Sequence, residues 1–421
     1  MGKLSDGRQP LERREEGMAI MTSSTSREEA IVIVGGGICG LATALALHRK
    51  NIHSLVLERS DSLRATGAAI AIYTNGWRAL DQLGIGDFLR QKAIRLQATH
   101  EIFLDDGVEQ RISKGKEELR CVKRSDLIET LAENLPPGTV HFGCRLVRVE
   151  TNRKTFNHVL HLYDGSIIIA KVLIGCDGVN SIIAESLQLR EPRLFSTSRT
   201  RGYTYYAHGH PFSNDFVRTR KNNTVVGRLP IDNRLVYWFI GRPWLPKDLE
   251  VRRDPELLKE ATLKAVETFP IETIELVKDT DMTSISLTRL RYRAPWDLLR
   301  GLHKGTMTVA GDAMHAMIPF LGQGGSAGLE DAIVLARCMA QELGAGLGCG
   351  RDGQLQKQVE AAFGRYVKER RLRLLRLLVQ TYLEESVVKT KSAFKKFAFV
   401  CLLKALFGDP LGHAQYDCGI L

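Results

Sequence analysis

No stretch of this 421-residue chain stays apolar for the ~18–20 residues that a membrane-spanning helix needs. Residues 1–28 lack the apolar core of a secretory leader, and they carry Glu12, Glu15, Glu16 and Glu28, residues foreign to organelle transit peptides. This segment is expected to be a disordered tail. None of the eight cysteines forms a C-x-x-C pair or another metal-binding spacing. They are Cys39, Cys121, Cys144, Cys176, Cys338, Cys349, Cys401 and Cys418. Several stand inside apolar runs, where cysteine serves as a small core residue, so a reducing, cytoplasmic setting is expected. Nucleic-acid modules are absent. Acidic residues are in deficit, 48 against 59 Lys and Arg, for a net charge of +11. Much of that excess lies at 365–404, led by Arg365, Lys368, Arg370, Arg371, Arg373 and Arg376. A solvated helix face is the expected use, with weak attraction to an anionic surface as the alternative.

What remains is ordinary for a globular protein, 44% hydrophobic and 25% charged, long enough for two or three domains. The stretch "AIVIVGGGICGLATALALHRKNIHSLVLERS" holds a complete strand–turn–helix–strand unit. A strand is expected at 30–34 from its unbroken apolar run, and a helix over 38–50. Gly35, Gly37 and Gly40 between them form G-x-G-x-x-G. The first glycine permits the tight turn, the second lets a pyrophosphate approach the backbone, and the third lets helix pack on strand. The helix N-terminus offers free N–H groups to phosphate. Glu58 ends the second strand, placed to accept hydrogen bonds from ribose hydroxyls. Dinucleotide binding follows, without a choice between NAD and FAD.

A second turn of similar shape lies late in the chain. Residues 306–332 read "TMTVAGDAMHAMIPFLGQGGSAGLEDA": an apolar strand, Asp312, a glycine cluster and the start of a helix. Asp312 is suited to accept bonds from ribityl hydroxyls. The helix opening at Gly322–Gly325 would turn its positive end toward the pyrimidine edge of a flavin, which is anionic when reduced. Two such turns fit one FAD, which is long enough to be gripped at both ends, better than two cofactors.

The combination of "GGGICG", "VLIGCDGVNS" at 172–181 and "AGDAMHAMIPFLGQGGSAGLEDA" resembles the class A flavoprotein monooxygenases, the group of para-hydroxybenzoate and salicylate hydroxylases and zeaxanthin epoxidase. The plant members are the most similar, and the match runs over about 29–345. "LRATGAAIAIYTNGWRALDQLGI" and "VKRSDLIETLA" agree in place and order. The resemblance implies an α/β (α+β) fold: a Rossmann-type FAD-binding domain at 29–190 and 285–345, an inserted antiparallel-sheet substrate domain at 191–284, and a helical segment at 346–421. It implies non-covalent FAD, NADPH or NADH as reductant, and O₂ activated at the flavin C4a as a hydroperoxide. One oxygen would pass to a small, largely apolar substrate, aromatic or isoprenoid. Glu58 and Arg59 would meet the adenosine ribose, and Arg124 the phosphate or ribityl region. Asp177 would order the groove that FAD and the reduced nicotinamide use. Gly35, Gly37, Ile38, Cys39, Gly40, Arg64, Ala69, Gly311, Asp312, Gly322, Gly324 and Gly325 complete the expected cofactor site. Ser326, where many members carry Asn, belongs to it through its backbone N–H. Pro319 would lie beside the flavin ring. With no second G-x-G-x-x-G, the reductant would visit a surface groove transiently.

The segment 199–241 is short-stranded and aromatic, "RTRGYTYYAHGH" through "RLVYWFIG", with turn signals between its runs. An antiparallel sheet roofing the flavin is expected, with Tyr203, Tyr205, Tyr237 and Trp238 as pocket candidates; alternation sends about half inward. His315 reads as a structural histidine rather than a base, and Ala71 stands where some aromatic hydroxylases place a histidine. "FKKFAFVCLLKALFG" at 394–408 is a short apolar helix, expected to pack on the body, with membrane-surface contact as the alternative. A monomer is expected.

Overall fold

The computed structural model describes residues 26–63, 69–113, 115, 117–344, 352–390, 392–409 and 412–421. The tail expected at 1–28 lies outside them up to residue 25, and Arg64 and Cys349 lie outside them too. From Ser26 the chain is already strand, because Ser26–Val34 pairs in parallel along the whole of Ile167–Gly175.

One sheet has the order His303–Lys304, Met307–Val309, Ile167–Gly175, Ser26–Val34, Leu55–Leu57, Val140–His141. The four strands from Met307–Val309 to Leu55–Leu57 run parallel, as does Val140–His141 beside them. Their near-continuous apolar sequences fit a sheet covered on both faces. The register is what positions the site. Val34 stands opposite Gly175, and Gly175 opposite Val309. The carboxyl ends of three strands therefore finish level, and each runs straight into a glycine-bearing turn: Gly35, Cys176–Gly178 and Gly311. The ladder continues into the turns, with Cys176 N–H donating to Val34 O at 2.8 Å and Ala310 N–H to Gly175 O at 2.9 Å.

A second sheet of seven strands has the order Ser286–Tyr292, Arg193–Tyr205, Leu235–Pro243, Thr224–Pro230, Phe216–Lys221, Ala98–Phe103, Val108–Ser113. Its pairs are antiparallel except Phe216–Lys221 with Ala98–Phe103. The sheet thus reaches beyond 191–284: two strands come from 98–113, inside the stretch assigned by sequence to the cofactor domain. The helices Pro255–Ala265 and Ile271–Lys278 cover its outer face, burying Trp238, Val236, Ile240, Leu258 and Val277.

The helix Gly324–Leu343 is buried along most of its length, including Glu330 and Asp331. Against it lies Asp352–Lys389, a 38-residue helix. Val359, Phe363, Tyr366, Leu374 and Leu377 recur at helical spacing to form its buried stripe. Arg370 falls in phase with that stripe and is fully buried, and Arg373 is 8% exposed. The expectation of a wholly solvated arginine face is corrected here: helical phase carries two of its members into the core. The final residues 412–421 return to the body, where Ala414 and Cys418 are buried and Leu421 N–H donates to Gln82 Oε1 at 3.0 Å.

Candidate active site

The three level turns open into one cavity of about 720 Å³. Gly35, Gly37, Ile38, Cys39, Glu58 and Arg59 line it from the early turn, Cys176, Asp177 and Asn180 from the middle one, and Gly311, Asp312, Gly324, Gly325 and Gly328 from the late one. Arg124 closes one side. The two glycine turns thus face a single groove at the carboxyl edge of a parallel sheet, the usual place for ligands in such folds. A smaller cavity of about 260 Å³, lined by Arg27, His48 and His53, sits at the opposite ends of these strands, remote from both turns.

Local sterics explain the glycines. Gly35 has φ +107°, and a Cβ there would stand 2.4 Å from Cys176 O. Gly311 has φ +62°, and a Cβ would meet Cys39 at 2.9 Å. Gly37 borders the groove, and a Cβ there would meet nothing within 4 Å, so its glycine leaves the backbone open to a ligand. Behind the turn, Gly40 packs helix on strand, since a Cβ would lie 1.9 Å from Gly35 O. It supports the groove without lining it.

The polar groups fall at intervals along the groove. Glu58 is 6% exposed; its Oε2 accepts from Gly36 N–H at 2.8 Å and its Oε1 from Ser60 N–H at 2.9 Å. Two backbone donors therefore fix the carboxylate before any ligand arrives. Asp177 Oδ2 accepts from Ile182 N–H at 2.7 Å, while Oδ1 is buried without a hydrogen-bond partner among the described residues. Burial raises the Asp177 carboxyl, against the lowering effect of Ser181 and nearby backbone N–H groups. Asp312 is exposed to the groove at the start of the helical turn Asp312–His315. An orphaned acceptor, a fixed carboxylate and an exposed one, spread along a groove with open glycine backbone, suit a long ligand rich in hydroxyl and phosphate groups. FAD fits that donor set.

A buried polar network holds the late turn. Asp331 Oδ2 accepts from Gly311 N–H at 2.9 Å and lies 2.6 Å from His315 Nε2, while Oδ1 accepts from Arg370 Nε at 2.7 Å. Burial pushes the Asp331 carboxyl up, but the facing His315 and Arg370 outweigh it and hold it below the usual carboxylate range. Arg370 also donates to Glu330 Oε2 at 2.7 Å, and Arg373 to Glu330 Oε1 at 3.1 Å and to His413 O at 2.7 Å. Asn75 Nδ2 donates to Glu330 Oε1 at 2.6 Å and to Gln323 Oε1 at 2.8 Å. His315 is thus a core residue, removed from the groove.

The strand Ala69–Tyr73 separates this groove from the seven-stranded sheet. Ile70 lines the groove and crowds Gly325, where a Cβ would meet Ile70 Cδ1 at 2.1 Å. Ala69, Ala71 and Tyr73, on the other face, pack with Tyr203, Tyr237, Phe216 and Phe239 of the sheet. By strand alternation Ala69 therefore faces the sheet, and its neighbour Ile70 takes the place expected of it. The Tyr203 and Tyr237 rings are 5.9 Å apart. Arg199 stacks on Phe239 at 4.2 Å, its Nε without a hydrogen-bond partner among the described residues, and burial pushes its guanidinium down to about 10. Burial raises the phenols of Tyr73, Tyr203 and Tyr237, so all three stay neutral near pH 7.

Two further expectations are corrected. Trp238 faces away, its indole N–H donating to Thr280 Oγ1 at 3.0 Å beneath the outer helices. Tyr205, on the inward face, lies at the strand end and is 58% exposed. The Ser326 side chain is buried, and a Cβ on Gly76 would stand 2.6 Å from its Oγ, so the side chain faces the helix Thr74–Gln82 and only the backbone N–H is left at the helix opening. Gly322 and Pro319 sit in the loop before the helix, outside the groove lining; Gly322 approaches Tyr73. Sequence reasoning missed Cys144, Arg145 and Tyr163 on the outer wall, where Arg145 stacks at 5.1 Å on a Tyr163 ring that is 74% exposed. An exposed aromatic after a strand carries no signal without the wall opposite.

A parallel sheet whose early and late glycine turns share one groove, with an antiparallel sheet across it, defines an FAD-dependent oxidoreductase. The chain belongs to the family described as FAD binding domain, which matches residues 28–348, and it is an FAD-dependent monooxygenase of class A. It is 45% identical to Monooxygenase 1 of Arabidopsis thaliana, over 94% of this chain and 100% of the relative. Identity is 30% with the 3-amino-4-hydroxybenzoate 2-monooxygenase PtmB3 of Streptomyces platensis, over 75% of this chain and 81% of that protein. The fold is shared with Klebsiella pneumoniae HpxO, solved with FAD and uric acid, at TM-score 0.74 and 21% identity over 92% and 96% of the two chains.

Proposed function

We propose that the protein uses NAD(P)H and O₂ to oxygenate a small aromatic substrate held where the inward, aromatic face of the seven-stranded sheet adjoins the cofactor groove. The observation that carries this reading is the two-faced strand. Ile70 borders the cofactor groove while Ala69, Ala71 and Tyr73 pack with Tyr203, Tyr237 and Phe239, so the strand brings the aromatic face of the seven-stranded sheet up to the groove. Bound FAD supplies electron storage and oxygen activation. The chain's own residues bind, orient and seal. Glu58 and Arg59 hold the adenosine end, and Asp177 Oδ1 and Asp312 accept from hydroxyl groups along the groove. The N–H groups opening Gly324–Leu343 favour negative charge at the ring end. The aromatic cluster excludes water, which otherwise diverts oxygen to hydrogen peroxide. Arg199, charged and incompletely bonded, favours a substrate bearing an anionic group, as the benzoate relative's name also suggests for that protein. None of the neutral phenols of Tyr73, Tyr203 and Tyr237 is suited to serve as base.

A panel of aromatic acids, phenols and isoprenoids, scored by stimulated NADPH and NADH oxidation, tests the reading. The true substrate should yield product carrying one ¹⁸O from ¹⁸O₂. Label from water alone, or product formed equally well without O₂, would overturn it.

A further inference from the structure

The helix Ala393–Leu406 has no fully buried side chain among its described residues. It packs only along one side, on the long helix, through half-buried Phe399, Val400, Leu403 and Phe407. Arg376 of that long helix stacks on Phe407 at 5.6 Å. The opposite side is apolar and open: Phe394 is 80% exposed, Phe397 68%, Leu406 51% and Leu402 43%, with Ala398, Cys401 and Ala405 exposed between them. At 3.6 residues per turn these seven positions fall on one continuous arc of about 180°. Lys395 and Lys404, both exposed, stand toward its two margins, about 100° to one side of Phe394 and about 80° to the other.

We propose that this helix docks the protein on the surface of a bilayer rich in anionic phospholipid. Its Phe394, Phe397, Leu402 and Leu406 would enter the boundary between headgroups and acyl chains, and Lys395 and Lys404 would reach lipid phosphates. Three observations select this occupant. The segment 386–408 contains Lys389, Lys391, Lys395, Lys396 and Lys404 and no Asp or Glu, so its complement is anionic. A second copy would bring lysines against lysines, which opposes self-pairing through this face. Fourteen residues rise only ~21 Å, short of the ~30 Å hydrocarbon core, and no described helix is long and apolar enough to cross a membrane. An apolar face with lysines at its margins and insufficient length lies in the plane of the interface rather than across it.

Flotation of the full-length, FAD-loaded protein with vesicles tests this. Vesicles of phosphatidylcholine with phosphatidylserine should carry the protein upward, and added salt should weaken the effect. Lys395→Gln and Lys404→Gln should each lower partitioning about fivefold. Phe394→Ser with Phe397→Ser should abolish it while leaving flavin absorbance and circular dichroism unchanged, because both side chains are exposed. The proposal is overturned if wild type stays below with these vesicles, or if the double phenylalanine variant floats equally well. It is also overturned if light scattering shows a dimer that dissolves in that variant, since the face then serves a second copy.

Discussion

His315 Nε2 stands 2.6 Å from Asp331 Oδ2, with both side chains wholly buried, and the same oxygen accepts the N–H of Gly311. One carboxylate of the helix Gly324–Leu343 thereby fixes the turn that presents Asp312 to the groove, while its other oxygen anchors Arg370 from the C-terminal region. The late turn is held by residues behind it that do not line the groove.

Asp331→Asn should therefore weaken fold and cofactor binding together. An amide turns N–H toward one of three donors and leaves Arg370 short of charge. Removing one partner of a buried pair costs about 3–5 kcal/mol. Urea midpoints should drop accordingly, and excess FAD should recover part of the loss by mass action. A midpoint unchanged from wild type would show that the network does not support the turn.

Asp312→Ala should separate the two effects. The side chain is exposed, and no buried group depends on it, so the stability of the FAD-free protein should change by about 0.5 kcal/mol or less. FAD affinity should fall roughly tenfold, the usual loss for a charge-assisted hydrogen bond. Fluorescence titration of the apoprotein measures this. Equal affinity in the variant would remove Asp312 from the cofactor site.

Adjacent residues on the sheet should behave oppositely. Trp238→Ala empties a core site under the outer helices and should cost about 3–5 kcal/mol, leaving the ratio of peroxide to product unchanged in the enzyme that folds. Tyr237→Ala opens the inward cluster and should raise hydrogen peroxide released per NAD(P)H consumed. Peroxide yield measured against product in both variants decides the matter. A rise in the tryptophan variant alone would place the water-excluding face on the other side of the sheet.

The features legible in sequence were those set by local sterics. Gly35, with its positive φ, and the apolar run before it need no distant partner to be recognised. The same holds for Gly311 and the helix that follows. What could not be read depends on phase or on remote pairing. Alternation shows that Tyr237 and Trp238 face opposite ways, but only the helices 255–278 decide which way is in. The strands of 98–113 join the second sheet through a parallel pairing with 216–221, a contact with no local mark. Arg370 was in phase with the buried stripe of its helix, yet its partners Glu330 and Asp331 lie far back in the chain. A charged side chain in an apolar phase is a usable sign when carboxylates occupy a buried helix elsewhere.

Glu384 makes the stability depend on pH in a defined direction. Burial raises its carboxyl from the ordinary 4.5 to about 7, against the attraction of Arg218. Between those two values the folded state holds a proton that the unfolded state has released. Stability from this group is therefore fully present below pH 4.5, falls as pH rises toward 7, and is level above it. The shift of about 2.5 units corresponds to about 3 kcal/mol at most. Glu384→Gln mimics the protonated acid and should lack this slope. The difference in unfolding free energy between variant and wild type should thus be near zero at pH 4.5 and approach 3 kcal/mol in the variant's favour at pH 8. Taking the difference cancels the titration of every group the two proteins share. Urea unfolding across this range measures it, and a difference that stays constant with pH would show that Glu384 titrates as a solvated carboxylate.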